Sequence, residues 1–232
     1  PGFGGQKFIP SVIEKAKKPL NPNNFETLAN VSGALILDTR NANDFANGFI
    51  PNSINIGIDG SFAMWVGEMI SDINQAILLV TEPGKEEECM IRLSRVGYDN
   101  TIGYLEGGFA SWEQAGKETD SLKRITGEQL EEMLQTADLP LFDVRKKSEF
   151  DSEHLLNSVN IPLNQLNAKL DSFPNDKSFV IYCAGGYRSM IAASILKQRG
   201  FDNFIDVSGG FNEIAKTTQL PKTTYVCPST LL

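Results

Sequence analysis

The chain repeats itself. Asp38, Arg40, Phe45, Asn52, Ser53 and Asn55 recur as identical residues 105 positions later: Asp143, Arg145, Phe150, Asn157, Ser158 and Asn160. Further on, Gly97-Tyr98-Asp99-Asn100 matches Gly200-Phe201-Asp202-Asn203 at an offset of 103, and Gly107-Gly108-Phe109 matches Gly209-Gly210-Phe211 at 102. Identities that keep their order with so little drift mark an internal repeat, and a unit of about 100 residues is a domain rather than a solenoid turn. We therefore read residues 1–24 as a lead-in segment without a clear element, 25–117 as a first domain and 118–232 as a second. The polar stretch Lys117–Arg124 joins the domains. The tail Leu220–Leu232, with Pro221 and Pro228, is expected to lie extended over the second domain.

Each half alternates short apolar runs with helical patterns. In the second, Thr126-Gly127-Glu128-Gln129 is a capping-box start, and Leu130, Met133 and Leu134 form one helix face. Leu139–Val144, Asn160–Leu163, Phe179–Tyr182 and Phe204–Val207 read as extended, and Ser189–Arg199 reads as a helix closed by Gly200. Such alternation predicts an α/β fold: two domains, each a mostly parallel central sheet with helices on both faces. Ligands in such folds bind beyond the carboxyl ends of the strands.

One strand end carries unusual chemistry. Phe179–Tyr182 is followed by Cys183-Ala184-Gly185-Gly186-Tyr187-Arg188, and then by Ser189 and an apolar helical pattern. Two glycines let the loop curl with its N–H groups inward, and the helix adds the positive end of its dipole. A cysteine there is expected to be partly thiolate, the reactive form. The loop reads as a cup for an anion with a nucleophilic sulfur at its base. Ala184, Gly185, Gly186, Tyr187, Arg188 and Ser189 are the candidate substrate-binding residues around Cys183. Arg188 is expected to anchor an anion, Tyr187 to shape access and Ser189 to add a hydroxyl.

Composition narrows the rest. A net charge of −8 argues against nucleic-acid and anionic-membrane partners, and no apolar run reaches membrane-spanning length. Cys89, Cys183 and Cys227 form no CxxC pair, and His154 is the lone histidine. A disulfide framework and a zinc site are therefore not expected, no cofactor is implied, and a reducing, cytoplasmic setting is. The start at Pro1, with no signal sequence, suggests an end trimmed or cut from something longer.

Both halves resemble rhodanese domains. The resemblance rests on Asp143-Val144-Arg145, Glu149-Phe150, His154, Asn157–Pro162, the Cys183–Arg188 loop and Gly209-Gly210-Phe211. In the first half it rests on Asp38-Thr39-Arg40, Phe45, Pro51–Ile56 and Glu106–Trp112. It covers roughly residues 21 to 220. The pairing further resembles the rhodanese portion of bacterial fusions with a metallo-β-lactamase-like persulfide dioxygenase domain, as Val80–Glu88 and Tyr225–Leu232 suggest. The resemblance implies a sulfurtransferase. Sulfane sulfur would pass from thiosulfate or a small persulfide to a thiol, sulfite or cyanide through a Cys183 persulfide. The partners implied are a small-molecule sulfur donor, a thiol acceptor and, in a longer protein, a persulfide dioxygenase domain. Cysteine phosphatases and arsenate reductases on the same fold place five residues between cysteine and arginine; here there are four. A non-enzymatic sulfur-carrier or docking scaffold is the alternative from another class.

Only the second half is armed. The matching loop in the first is Val80–Lys85. Counting back from the helix puts Val80 under Cys183 and Lys85 under Arg188; counting from the strand puts Thr81 there. Neither is a thiol, and Glu86, Glu87 and Glu88 would repel an anion. Cys89 reads as core packing, and the first domain as an inactive copy. Asp143, Arg145 and Glu149 read as one structural ion-pair network, His154 as a structural hydrogen-bonder, and Trp65 and Trp112 as core.

Overall fold

The apolar runs Ile77–Val80 and Phe179–Tyr182 are too short for helices and fully buried, and each becomes the central strand of its own sheet. The computed structural model describes residues 9–227, which divide between Asp120 and Ser121.

In chain order the first unit comprises α1 (Ile9–Ala16), β1 (Pro19–Leu20), α2 (Pro22–Ser32), β2 (Leu35–Asp38), α3 (Ala42–Asn47), β3 (Ile54–Asn55), α4 (Phe62–Met69), β4 (Ile77–Val80), α5 (Glu86–Arg95), β5 (Thr101–Leu105) and α6 (Gly108–Gln114). The second comprises β6 (Arg124–Ile125), α7 (Gly127–Thr136), β7 (Leu141–Asp143), α8 (Lys147–Ser152), β8 (Ser158–Asn160), two 3₁₀ turns (Leu163–Ala168 and Leu170–Ser172), β9 (Phe179–Tyr182), α9 (Tyr187–Gln198), β10 (Phe204–Val207) and α10 (Gly210–Thr217). The sheet orders are β1-β5-β4-β2-β3 and β6-β10-β9-β7-β8, with every strand pair parallel. The α/β class and the two like domains are as expected.

In the second unit, alternation along the strands assigns the faces. Val180, Tyr182, Ile205 and Val207 pack with Leu130 of α7 and Ile214 of α10. Phe179 faces the other way, within van der Waals reach of Phe142, Phe201 and Phe204, while α9 lies along β9 and β10. The predicted capping box forms: Thr126 Oγ1 accepts from Gln129 N at 3.2 Å, and Thr126 N donates to Gln129 Oε1 at 2.9 Å.

The repeated residues are explained by the same local geometry in both halves. Asp38 and Asp143 are fully buried and each grips the arginine two residues on, with Nη2–Oδ2 at 2.6 Å. Those guanidiniums stack over Phe109 and Phe211, 4.3 and 4.1 Å from the ring centroids. Asn55 and Asn160 each donate to two backbone carbonyls around that pair. Asn52 (φ +67°) and Asn157 (φ +64°) are left-handed, a conformation asparagine tolerates better than most residues.

Two expectations need correction. Within the segment 1–24, whose residues 1–8 lie outside the described residues, α1 covers β5 and α5, and β1 pairs with β5 at the sheet edge. A two-residue strand exists only because its partner does, so local pattern could not show it. Asn160–Leu163 is extended only at its start, because the chain turns into 3₁₀ conformation from Leu163. The tail follows its expected course as far as it is described. Leu156 N donates to Pro221 O, Thr223 N to His154 O and Val226 N to Ser152 O, laying residues 221–226 along the end of α8. Residues 228–232 lie outside the described residues.

Candidate active site

β9 ends at Tyr182, and Cys183 is the first residue beyond it, 1% exposed. The chain then turns through Ala184 and exposed Gly185 to Gly186, whose φ of +94° is open to glycine at no steric cost. That turn aims the Gly186 N–H at Cys183 Sγ, at 3.1 Å. α9 begins at Tyr187, so the positive end of its dipole is close to the loop. Of the loop N–H groups expected to turn inward, that of Gly186 reaches the sulfur. Tyr187 is half-buried at the rim. Ser189 is fully buried, with the Asp206 carboxylate beside its hydroxyl.

The loop is clamped from below by α10. Phe211 N donates to Cys183 O at 2.7 Å, and Asn212 N to Ala184 O at 3.0 Å. This close approach requires Gly210: a Cβ there would run into Cys183 O and lie 2.9 Å from Ala184 C, at a φ of +56°. Gly210→Ala should lower stability by about 2–4 kcal/mol, from positive-φ strain plus overpacking. Gly185→Ala, whose Cβ meets nothing within 4 Å, should change stability by less than about 0.5 kcal/mol. Urea unfolding of the two variants measures the contrast.

Arg188 is the residue whose surroundings differ most from expectation. Its terminal nitrogens donate to Glu149 Oε2 at 2.5 Å and Oε1 at 2.8 Å, a bidentate pair. Glu149 therefore belongs to Arg188 and not to the Asp143–Arg145 pair. Its other bond is a capping contact from Lys146 N. The Arg188 hydrogen bonds hold the Glu149 carboxyl below its usual range, and Glu149 in turn raises the pKa of Arg188. Glu149 thus fixes the plane of the guanidinium while taking one N–H from each terminal nitrogen. The available sequence signal was that both halves carry an acid six residues after the buried aspartate, Asp44 and Glu149.

His154 stacks on Phe150 with centroids 3.6 Å apart, and its Nδ1 lies 2.6 Å from Phe150 O. It occupies the place of Phe49, which stacks on Phe45 in the first half. The histidine is structural, as expected. Trp65 and Trp112 are core.

The first half settles the loop alignment. Asp38 pairs with Val80 across the sheet, as Asp143 pairs with Tyr182, so Thr81 takes the place of Cys183. A Cβ on Gly108 would lie 2.9 Å from Thr81 O, paralleling the Gly210–Cys183 contact. The count back from the helix, which selected Val80 and Lys85, is one residue off. Gly84 (φ +90°) corresponds to Gly186, and the path from it to Gly97 is one residue shorter than the path from Gly186 to Gly200. Glu86, not Lys85, therefore stands where Arg188 does. Its carboxylate accepts from Gly84 N at 3.0 and 3.1 Å, so the amide that points at sulfur in one domain holds an internal carboxylate in the other. Cys89 is fully buried against Thr39 Oγ1, and burial pushes its thiol up to about 11. Cys227 is exposed. Among the described residues, no group of three or more His, Cys, Asp or Glu is arranged to hold a metal, and no helix is long and apolar enough to cross a membrane.

Known proteins share this construction. The rhodanese-like domain family matches residues 21–115 and again 126–217. The chain is similar to YqhL of Bacillus subtilis (strain 168), 34% identical over 92 residues that make up 40% of this chain and 71% of that protein. It is similar to a sulfurtransferase of Allochromatium vinosum, 29% identical over 38% of this chain and 84% of that protein. A third match is the adenylyltransferase and sulfurtransferase uba4 of Ogataea parapolymorpha, 41% identical over 32% of this chain but only 19% of that protein. With two matched segments spanning most of its length, in two units that each hold a five-stranded parallel sheet of corresponding strand order, the chain belongs to the rhodanese-like family and carries two of its domains.

Proposed function

We propose that the second domain transfers sulfane sulfur through Cys183 and that the first is an inactive copy. The observation that carries this reading is the Gly186 N–H directed at Cys183 Sγ at the start of α9. A donor amide and a helix N-terminus stabilise a thiolate, and afterwards the terminal anion of a persulfide. The relatives named as sulfurtransferases support the same class.

The reaction is a double displacement. The Cys183 thiolate attacks the outer sulfur of thiosulfate; a new S–S bond forms, and the old one breaks with its electron pair leaving on sulfite. A small persulfide would react likewise, releasing its thiolate. An acceptor thiolate, sulfite or cyanide then attacks the outer sulfur of the Cys183 persulfide and returns the thiolate. No proton has to be removed by a base, which fits a site whose histidine is occupied elsewhere. With four residues between Cys183 and Arg188, the cup suits one sulfur atom better than a phosphoryl group. Thr81 and Glu86 support the inactive reading of the first domain. A reducing, cytoplasmic compartment and, in a longer protein, a neighbouring persulfide-oxidising domain would suit this chemistry.

The test is an intact-mass spectrum after incubation with thiosulfate or glutathione persulfide. A gain of one sulfur, lost on addition of cyanide, is the expected result; an unchanged mass with both donors refutes the reading. Arg188→Ala should lower kcat/KM for thiosulfate by about 10–100-fold, while acceptor KM for a neutral thiol changes little. Equal losses on both sides would make Arg188 a brace for the loop alone.

A further inference from the structure

Behind the Cys183 loop lies a charged pair that the reaction above does not use. Asp206 of β10 is fully buried, and its register partners are Arg124 on β6 and Ile181 on β9. Cys183 is two residues beyond Ile181, so alternation places Asp206 and Cys183 on the same face of the sheet. Arg124 Nε donates to Asp206 Oδ2 at 2.8 Å. The same guanidinium reaches the loop, since a Cβ on Gly186 would lie 3.1 Å from Arg124 Nη2. Gly186 is the residue that donates to Cys183 Sγ.

The fold does not require this pair. A buried ion pair stabilises no better than apolar residues of similar volume. In the first domain the corresponding register partners are Pro19 and Tyr104, and that sheet forms without a charge there. The pair occurs only in the half that carries the cysteine. Ser189, fully buried in the first turn of α9, lies close enough to the Asp206 carboxylate to act on its protonation, so a third polar group is kept at the same buried spot.

We propose that Arg124 and Asp206 are positioning residues for Cys183: the buried carboxylate anchors the guanidinium against Gly186, where its charge favours the thiolate. This rests on Cys183 being the nucleophile. The groups facing Asp206 are Arg124 from β6 and Ser189 from the first turn of α9; Arg188, on the same turn, is engaged by Glu149. Burial pushes the Asp206 carboxyl up to about 6, with Arg124 and Ser189 working against it. Above that pH the carboxylate offsets part of the Arg124 charge, and below it the full charge acts on the loop.

The test is the rate of iodoacetamide alkylation at Cys183, followed on its peptide by mass spectrometry, from about pH 5 to about pH 10. Arg124→Met should raise the midpoint and slow alkylation near pH 6 about three- to tenfold, leaving the alkaline plateau unchanged. Asp206→Asn keeps an oxygen for the guanidinium but removes the charge, so it should lower the midpoint and speed alkylation near pH 7, where the parent carboxyl is ionised, by a similar factor. Arg124→Lys should stay near the parent. Loosening of the loop would move both variants the same way; that result, or no movement in either, overturns the proposal. If Arg124→Met does not fold, Asp206→Asn decides alone, and a failure to accelerate overturns it. Alkylation needs no sulfur donor, so these outcomes stand whether or not the parent protein takes up sulfur.

Discussion

Cys183→Ser should abolish sulfur loading, lowering thiosulfate turnover by at least about a thousandfold while the fold persists. In the proposed mechanism the attacking sulfur is served by the Gly186 amide directed at it at the start of α9, and no base takes part. A serine hydroxyl in the same place would have to be deprotonated during attack, and neither His154 nor Glu149 is placed to take the proton. His154 is stacked on Phe150 and bonded to its carbonyl. Glu149 is occupied by Arg188, whose hydrogen bonds hold its carboxyl below the usual carboxylate range. The other thiols offer no detour. Cys89 is fully buried in the first domain with its pKa pushed up to about 11, so at pH 7 its thiolate fraction is negligible. Cys227 is exposed, on the tail beyond α10. Cys89→Ser and Cys227→Ser should therefore keep most of the activity. Turnover of thiosulfate to sulfite by the three variants is the measurement; substantial turnover by Cys183→Ser would remove the nucleophile from the mechanism.

The features legible in the sequence are those fixed by local geometry. Asn52 and Asn157 recur because both positions are left-handed, and the aspartate–arginine pairs recur because each closes within three residues. The Cys183 loop is legible for the same reason: strand end, glycines and helix start are contiguous. What escaped was made by distant partners. Glu149 reaches Arg188 across 39 positions, and Arg124 reaches Asp206 across 82. No residue spacing announces either contact. β1 is two residues whose extended state depends on β5. The first-domain loop was ambiguous because offsets differ on its two sides, and only the sheet register says which to use.

That register gives the proposed inactivity of the first domain a specific cause, and a way to reverse it. Thr81 stands where Cys183 does, and the Glu86 carboxylate holds the Gly84 amide that would otherwise serve the sulfur. Thr81→Cys alone should therefore remain inert. The Glu86 carboxylate that holds the Gly84 amide would stand beside the new thiol, and a neighbouring like charge disfavours its anion; Glu87 and Glu88 are already paired, with Lys17 and with Lys85 and Arg92. Glu86→Arg added to Thr81→Cys releases the Gly84 amide and replaces the repelling charge with an attracting one. Asp44, at the place of Glu149 and accepting from Asn41 Nδ2 at 2.6 Å, is the acid that the repeat sets opposite the new guanidinium. Exchanging a repelling for an attracting charge within a few ångströms lowers a thiol pKa by about 1–3. In a Cys183→Ser background, the double variant should alkylate at position 81 at pH 7 at least about tenfold faster than Thr81→Cys alone, and should take up sulfur from thiosulfate where the single variant does not. Equal reactivity of the two would mean that Glu86 does not govern the loop, and that the first domain is silent for want of a thiol alone.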